Sequence, residues 1–405
     1  MANNNDNKVL NVPPLRFPEF TKEWEEHALA EYLDFKNGLN PDVKRIGRGL
    51  PFISVMDILA DGTINYDSIR GKVEATEREI ENFSVEKGDI LFQRSSETLE
   101  DVGRANVYMD NRTAVYGGFV IRGRKIGDYN PLFFKYLLST PLARKRTCRM
   151  GAGAQHFNIG QDGLSKISLC FPLMEEQNKI ARLLSLIDER IATQNKIIDK
   201  LQSLIKGLID DIITPQCEQC VAFETLYSKA GEGGTPTTSN VEFYENGNIP
   251  FVKIDDLGDK YLLANKDYIT ELGLKKSSAW LIPVNSIIYS NGATIGAISI
   301  NKYPICTKQG ILGIVPNSNI DVEYLYYFMR SSYFQKEVER VVTEGTMRTA
   351  YLKDINHIKC PIPDLDKQKE ISHTLSALSF KEDIESQLLQ KYQIQKQYLL
   401  SQMFI

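Results

Sequence analysis

Several residue groups in this 405-residue chain have types and spacings that suit chemistry. Cys217 and Cys220, in CEQC, have the spacing of half a structural zinc site. Such a site needs a second pair or two histidines, and none lies nearby. The pair reads as reduced surface thiols in a linker, and no metal is expected. Glu19, Asp34 and Lys36 offer two carboxylates for a metal and a lysine for hydrolysis. That pattern is loose, and solvated surface charge supplies it equally well. His27, His156, His357 and His373 have no serine or cysteine partner in the sequence. GAGA (residues 151–154) and GEGG (residues 231–234) do not follow strands as dinucleotide-binding turns do, and no Gly-x4-Gly-Lys-Ser/Thr phosphate loop is present. Both glycine-rich stretches read as flexible loops, and no catalytic residue is assigned.

The elements that must position these groups follow from composition and repetition. The 42% apolar and 25% charged fractions are those of a soluble globular protein, and the length implies two or three domains. The polar start, MANNNDNK, has no apolar signal core, and no run approaches the ~18 apolar residues that span a bilayer. A cytoplasmic protein with no membrane partner is expected. The net charge is −4, whereas a chain that grips duplex DNA alone is usually basic. Either it binds no nucleic acid or partners share the phosphate contacts.

The chain writes one passage twice. LPFISVMDI (from Leu50) matches IPFVKIDDL (from Ile249), GDILFQRSS (from Gly88) matches NSIIYSNGA (from Asn285), and AVYGGFVI (from Ala114) matches CTKQGILGI (from Cys306). FPLMEEQNKI (from Phe171) matches CPIPDLDKQKEI (from Cys360). The order is kept while the loops differ in length, which predicts one structural unit used twice. Each unit predicts short strands, a short helix, a glycine-containing loop and a last strand that ends at proline. Beyond Pro172, Ile180, Leu184, Ile187, Ile191, Gln194, Ile198, Leu201, Ile205, Leu208 and Ile212 repeat at 4-3 spacing, a coiled-coil seam with one polar member. In the last helix Ile371, Leu375 and Leu378 begin the same pattern. Glu382 and Glu385 then interrupt it, and Ile384 and Leu388 sit one position off, which predicts a register shift. The expected fold is α+β, with two similar domains joined by a long antiparallel two-helix coiled coil in a pseudo-twofold repeat. Expected boundaries are 1–172 for the first domain (1–14 disordered), 173–214 for the first helix, 215–363 for the second domain and 364–405 for the second helix. About 38 helical residues reach ~57 Å, so two heads could bracket a split DNA target whose turn is ~34 Å.

LRFPEF…W (Leu15 to Trp24), GGTPTTSNVEFYENGNIPFVKIDDL (Gly233 to Leu257) and the proline-to-Gln/Lys passage before each long helix resemble the specificity subunit of type I restriction-modification enzymes, over nearly the whole chain. The resemblance implies two target-recognition domains, each reading half of a bipartite DNA sequence, with helices that set the gap and dock two methyltransferase subunits. It implies a motor-nuclease subunit as a further partner and no catalytic site or cofactor in this chain. S-adenosylmethionine, ATP and magnesium would belong to the partner subunits. The first unit departs from the pattern, with FKNGLNPDVKRIGRGLPF (residues 35–52) in place of the Thr-Pro block. An adenine-pocket motif, Asn/Asp-Pro-Pro-aromatic, is absent, since NVPPL (residues 11–15) has the wrong spacing.

Base reading in the major groove uses Arg or Lys on guanine and Asn or Gln on adenine. Polar residues in loops between strands are the candidates. They are Gln93, Arg94, Ser95, Ser96 and Arg104 in the first unit, and Ser290, Asn291, Thr294, Lys308 and Gln309 in the second. The glycine loops add Gln155 and His156, and Met347, Arg348 and Thr349. Arg144, Lys145, Arg146 and Arg149 form a basic cluster suited to phosphate, and Thr235 and Thr237 could donate to phosphate.

Overall fold

The computed structural model describes residues 11–213, 220–292, 294–343 and 348–405. Two compact units share the chain, residues 1–195 with 388–405, and residues 196–387. Each unit holds one head and part of both long helices.

The first head contains β1 (Glu25–Ala28), β2 (Leu33–Asn37), β3 (Ile46–Ile53), β4 (Ile90–Gln93), β5 (Ala105–Val107), β6 (Ala114–Tyr116), β7 (Val120–Lys125), α1 (Pro131–Ser139), α2 (Pro141–Cys148) and β8 (Ser168–Phe171), and leads into α3 (Met174–Ile213). The second contains β9 (Cys220–Ala222), β10 (Tyr227–Glu232), β11 (Ile249–Val252), β12 (Ile287–Ser290), β13 (Ile298–Asn301), β14 (Cys306–Thr307), β15 (Ile311–Pro316), α4 (Val322–Arg330), α5 (Ser332–Val341) and β16 (Lys359–Pro361), and leads into α6 (Leu365–Gln402). The sheet order β2-β7-β4-β5 recurs as β10-β15-β12-β13. The parallel pair β3/β6 recurs as β11/β14, and the closing pair β1/β8 as β9/β16. The chain is thus an α+β internal repeat.

β4 reads as an apolar run because both its faces are covered. Ile90 and Phe92 join a core with Trp24 and Phe133, and Leu91 joins another with Ile53 and Tyr108. β12 does the same, with Ile287 and Tyr289 in one core and Ile288 in another. A strand buried on both faces loses the polar alternation that marks a half-exposed strand.

The repeated glutamine has one task in both units. Gln177 Oε1 accepts the Asn130 N–H at 3.0 Å, and its Nε2 donates to the Pro172 carbonyl at 3.0 Å. Gln368 Oε1 accepts the Asp321 N–H at 2.8 Å, and its Nε2 donates to the Pro363 carbonyl at 2.8 Å. Asn130 and Asp321 are the N-caps of α1 and α4. One buried amide therefore ties the short helix of each head to the first turn of its long helix. Tyr136 and Tyr327 make a second tie, Tyr136 to Asp188 at 2.8 Å and Tyr327 to Ser379 at 3.1 Å.

In the first unit the start of α3 lies beside the end of α6. Ile180, Leu184 and Ile187 share a core with Leu399, Met403 and Phe404, and Asp188 pairs with Lys396 at 2.6 Å. In the second unit Ile205 and Ile209 share a core with Ile371 and Leu375, and Gln202 donates to Glu382 at 2.7 Å. The two helices are antiparallel. Gln194 and Ile198 on the seam are buried, and Ile191, Leu201 and Leu208 are half-buried, while the side chain of Ile212 lies outside the described residues.

Two expectations are corrected. α6 undergoes no register shift. Ile384 is 43% exposed and Glu385 8%, so the seam runs straight through Glu382 and Glu385. Pairing makes this tolerable, with Lys381 on Glu385 and Gln202 on Glu382. Residues 11–14 are also ordered. The Asn11 carbonyl accepts the Trp24 N–H at 2.8 Å and Pro13 is buried, while residues 1–10 lie outside the described residues. Arg16 holds Glu176 through two bonds of 2.7 Å, and the Trp24 indole N–H adds a third at 3.3 Å. The LRFPEF…W passage thereby grips the first turn of α3.

The second head has an ionic anchor on α6. Lys260 Nζ donates to Glu323 at 2.8 Å and to Ser376 at 2.7 Å, and Tyr261 and Ser376 donate to the same carboxylate. Burial alone would raise the Glu323 pKa, but the bonds from Lys260, Ser376 and Tyr261 together hold it down, at about 2 against 4.5. A depressed carboxylate pKa stabilises the fold above the unfolded value and loses that contribution as pH falls through the folded one. Stability should therefore drop between pH ~4.5 and ~2, and Glu323→Gln should flatten that part of the melting-temperature profile. Lys260→Met, which leaves the carboxylate without its cation, should cost about 3 kcal/mol at neutral pH.

Candidate nucleic-acid interface

β4 and β12 end at matched positions. Gln93 lies opposite Val120, and Ser290 opposite Ile311. The next N–H crosses to the facing turn, Arg94 to the Phe119 carbonyl at 2.9 Å and Asn291 to the Gly310 carbonyl at 3.1 Å. The same residues' carbonyls accept from beyond the glycine loop, Arg94 from Ile159 at 3.0 Å and Asn291 from Ala350 at 2.9 Å. The first glycine loop is a hairpin closed by a bridge between Ala152 and Asn158, and in the second unit Thr343 bridges Thr349.

A third loop meets the same strand end. Gly38 N–H donates to the Val120 carbonyl at 3.1 Å and Gly233 N–H to the Ile311 carbonyl at 2.9 Å. A Cβ at Gly38 would stand 2.1 Å from the Gly117 carbonyl oxygen, and one at Gly233 2.2 Å from that of Thr307. Only glycine allows this approach. Gly38-Leu39-Asn40-Pro41 and Gly233-Gly234-Thr235-Pro236 therefore occupy one structural position, and the apparent departure in the first unit is a change of side chains on a shared loop. Asn40, which the sequence reading did not single out, lies against Gly118 as Thr235 Oγ1 lies against the Gln309 N–H, at 3.3 Å.

The structure gathers the candidates of each head around this strand end and sorts them by exposure. Gln155 and His156 stand exposed on the first hairpin. Ser95 and Ser96 are half-buried at its base, where Ser95 bonds Asn158, another residue the sequence reading missed. Arg94 is half-buried and donates to the Gly118 carbonyl at 3.3 Å. Arg104 is exposed and paired with Asp101 at 2.7 Å. In the second head Thr237, Thr294, Lys308 and Gln309 are exposed, Thr235 and Thr349 are half-buried, and Arg348 is exposed and paired with Glu339. Met347 lies outside the described residues.

Other candidates point inward. Gln93, Ser290 and Asn291 are 5%, 0% and 1% exposed. Their burial sets them apart from the exposed candidates of each head. Gln93 Nε2 holds the Ser95 carbonyl at 2.9 Å, and Asn291 Nδ2 the Ala350 carbonyl at 3.1 Å, so they shape the loops above them. Arg144 donates to the Glu100 and Val102 carbonyls at 2.9 and 2.7 Å, and burial lowers its pKa from the ordinary value. Arg146 bonds Glu26 and the Ser168 carbonyl. These two arginines staple α2 to the head, which leaves Lys145 and Arg149 as the exposed cations of the cluster.

The hydrolytic set does not assemble. Glu19 pairs with Lys179, Lys36 donates to Asn82 at 3.0 Å, and Asp34 lies on β2 opposite Arg124. Among the described residues no group of three or more His, Cys, Asp or Glu could hold a metal. Cys220 opens β9, and Cys217 lies outside the described residues. Among the described residues no helix is long and apolar enough to cross a membrane.

The profile of the type I restriction modification DNA specificity domain matches residues 21–203 and again 228–392. The chain belongs to this family. It is 25% identical over 415 residues to a putative type I restriction enzyme MjaX specificity subunit from Methanocaldococcus jannaschii, covering 96% of this chain and 94% of that one. It is 32% identical over 149 residues, 35% of this chain and 36% of the other, to the EcoR124I/EcoR124II specificity subunit of Escherichia coli. The fold matches the crystal structure of a type I restriction-modification S subunit from M. genitalium at a TM-score of 0.61 and 17% identity, over 97% of this chain and 99% of that one. The two family matches fall on the two heads with most of each long helix, so the repeat read from the sequence is the family's own unit.

Proposed function

We propose that this chain is the sequence-reading subunit of a type I restriction-modification complex. Each head reads one half of a split duplex target, and the paired helices set the unread gap. The observation that carries this is the match of the two heads, hydrogen bond for hydrogen bond, around strand ends whose surrounding side chains differ. A shared scaffold with different loop chemistry suits two different half-sites.

Chemistry on the DNA then falls to partners, two methyltransferase subunits and a motor-nuclease subunit that would bring S-adenosylmethionine, ATP and magnesium. In the first unit Leu186, Ile394 and Tyr398 stand exposed on the long helices, and in the second Ile197, Leu204, Phe380 and Ile384 do, apolar side chains suited to the methyltransferase subunits. Partners that close around the DNA would also supply the basic charge this chain lacks.

Co-expression with the methyltransferase subunit in a host free of adenine methylation, followed by mapping of N6-methyladenine, tests the reading. A split motif that depends on this chain is expected. With an assembled complex and a methyltransferase active beside another specificity subunit, absence of any motif refutes DNA targeting. Arg94→Ala should weaken one half-site by about tenfold or relax it there, leaving the other half intact. An unchanged motif and rate would remove Arg94 from the reading face.

A further inference from the structure

The first head has an apolar cradle beside Arg94. A cavity of about 430 Å³ is lined by Leu39, Ile46, Phe52, Met56 and Phe119, among others. Phe119 is 67% exposed and Met56 70%. The cradle is continuous with the candidate reading face, because Arg94 bonds the carbonyls of Gly118 and Phe119, which belong to its wall. Exposed Lys44 and Arg48 flank Ile46 in sequence, the latter paired with Glu74.

The second head lacks this feature at matched positions. Arg94 bonds Phe119 as Asn291 bonds Gly310, so Gly310 stands in place of Phe119. The Ser54 N–H is held by Asp57 as the Lys253 N–H is held by Asp256, so Asp255 stands in place of Met56. What both heads keep, such as the Gln177 and Gln368 ties, serves what the two units share. A partner bound alike by both heads would need the cradle in both. A feature present in one head serves what differs between them, and for a split target that is the half-site sequence.

We propose that Phe119 and Met56 read the 5-methyl edge of a thymine in the half-site of the first head. This rests on the reading of the heads as DNA-recognition domains. Among the unmodified bases thymine alone presents a methyl group in the major groove, and apolar side chains recognise it there. An apolar centre with Arg94 bonded to its wall fits a base edge flanked by phosphates.

The test uses the assembled complex with its methyltransferase subunits, once the motif is mapped and Arg94→Ala has marked the half read by the first head. Duplex oligonucleotides carrying deoxyuridine for each thymine are then compared in binding. One position in that half should lose about fourfold in affinity, the worth of one methyl group moved out of water. Substitution in the other half should change nothing. In Phe119→Ser, an exposed position that should still fold, the deoxyuridine penalty should disappear. A half-site without thymine, or one indifferent to deoxyuridine, overturns the cradle and leaves the DNA reading standing. Equal loss of methylation by Phe119→Ser at every sequence would mark a partner surface and overturn it too. Absence of any split motif would sink the parent reading, and the cradle with it.

Discussion

Seven residues added to both long helices together, after Gln194 in α3 and after Leu389 in α6, should lengthen the unread gap by about three base pairs. Both half-sites should stay unchanged. Seven residues rise ~10 Å in a helix, and a base pair rises ~3.4 Å. A heptad also keeps the seam facing its partner. The insertion must be paired. Asp188 meets Lys396 and Gln202 meets Glu382, and the same number of residues separates the two contacts on each helix. An insertion in α3 alone would break one of these registers. It would either pull Leu399, Met403 and Phe404 from the first head or strip Ile371 and Leu375 from the second. That variant should melt early and methylate poorly. Three base pairs also turn the second half-site by roughly 100° around the DNA, so the one-heptad variant should be slow. Three heptads come to ~32 Å, close to one DNA turn of ~34 Å, and should recover the rate with a gap about nine base pairs longer. Methylation mapping reads gap and rate together. An unchanged gap in the paired variants would refute the ruler.

The seam of α3 was legible because its members are apolar at every turn but one. That of α6 was not, because Glu382, Glu385 and Lys396 occupy seam positions. Apolar periodicity alone cannot separate a polar seam residue from a slipped register. The answer lies in partners such as Gln202 and Asp188 on the other helix. The interface divided in the same way. Strand ends and glycine loops could be located because their punctuation repeats. Side-chain direction could not. The cluster of Arg144, Lys145, Arg146 and Arg149 looks uniform as a string, but α2 turns Arg144 and Arg146 onto carbonyls of the head and leaves Lys145 and Arg149 outward. Gln93 and Asn291 have side chains suited to bases, yet both are buried and hold backbone carbonyls, of Ser95 and Ala350. The shared loop of Asn40-Pro41 and Thr235-Pro236 went unseen because the glycine that defines it is recognised by what it approaches.

A loss of stability as large as that at Lys260 is expected at the repeated glutamine. Gln368→Ala should cost about 3 kcal/mol. It leaves the Asp321 N–H and the Pro363 carbonyl without their partner, and Gln368 is 1% exposed, so water cannot take over cheaply. For a unit of this size the melting temperature should fall by roughly 6–12 °C. Gln368→Glu separates the two bonds. A carboxylate can still accept the Asp321 N–H, but it has no proton for the proline carbonyl and turns an acceptor toward it. It should lose nearly as much as alanine at neutral pH and recover on acidification, when a protonated carboxyl can donate again. Gln177→Ala should behave alike in the first unit, and exposed Gln390→Ala should change little. The functional consequence follows from position. The amide joins the cap of the short helix to the first turn of the long one, so its loss should loosen the head on its helix. Methylation by the Gln368→Ala complex should then tolerate gaps one base pair longer or shorter than those of the unaltered complex, with both half-sites still read. A Gln368→Ala complex that melts as the unaltered one does would show that the repeated passage has another purpose.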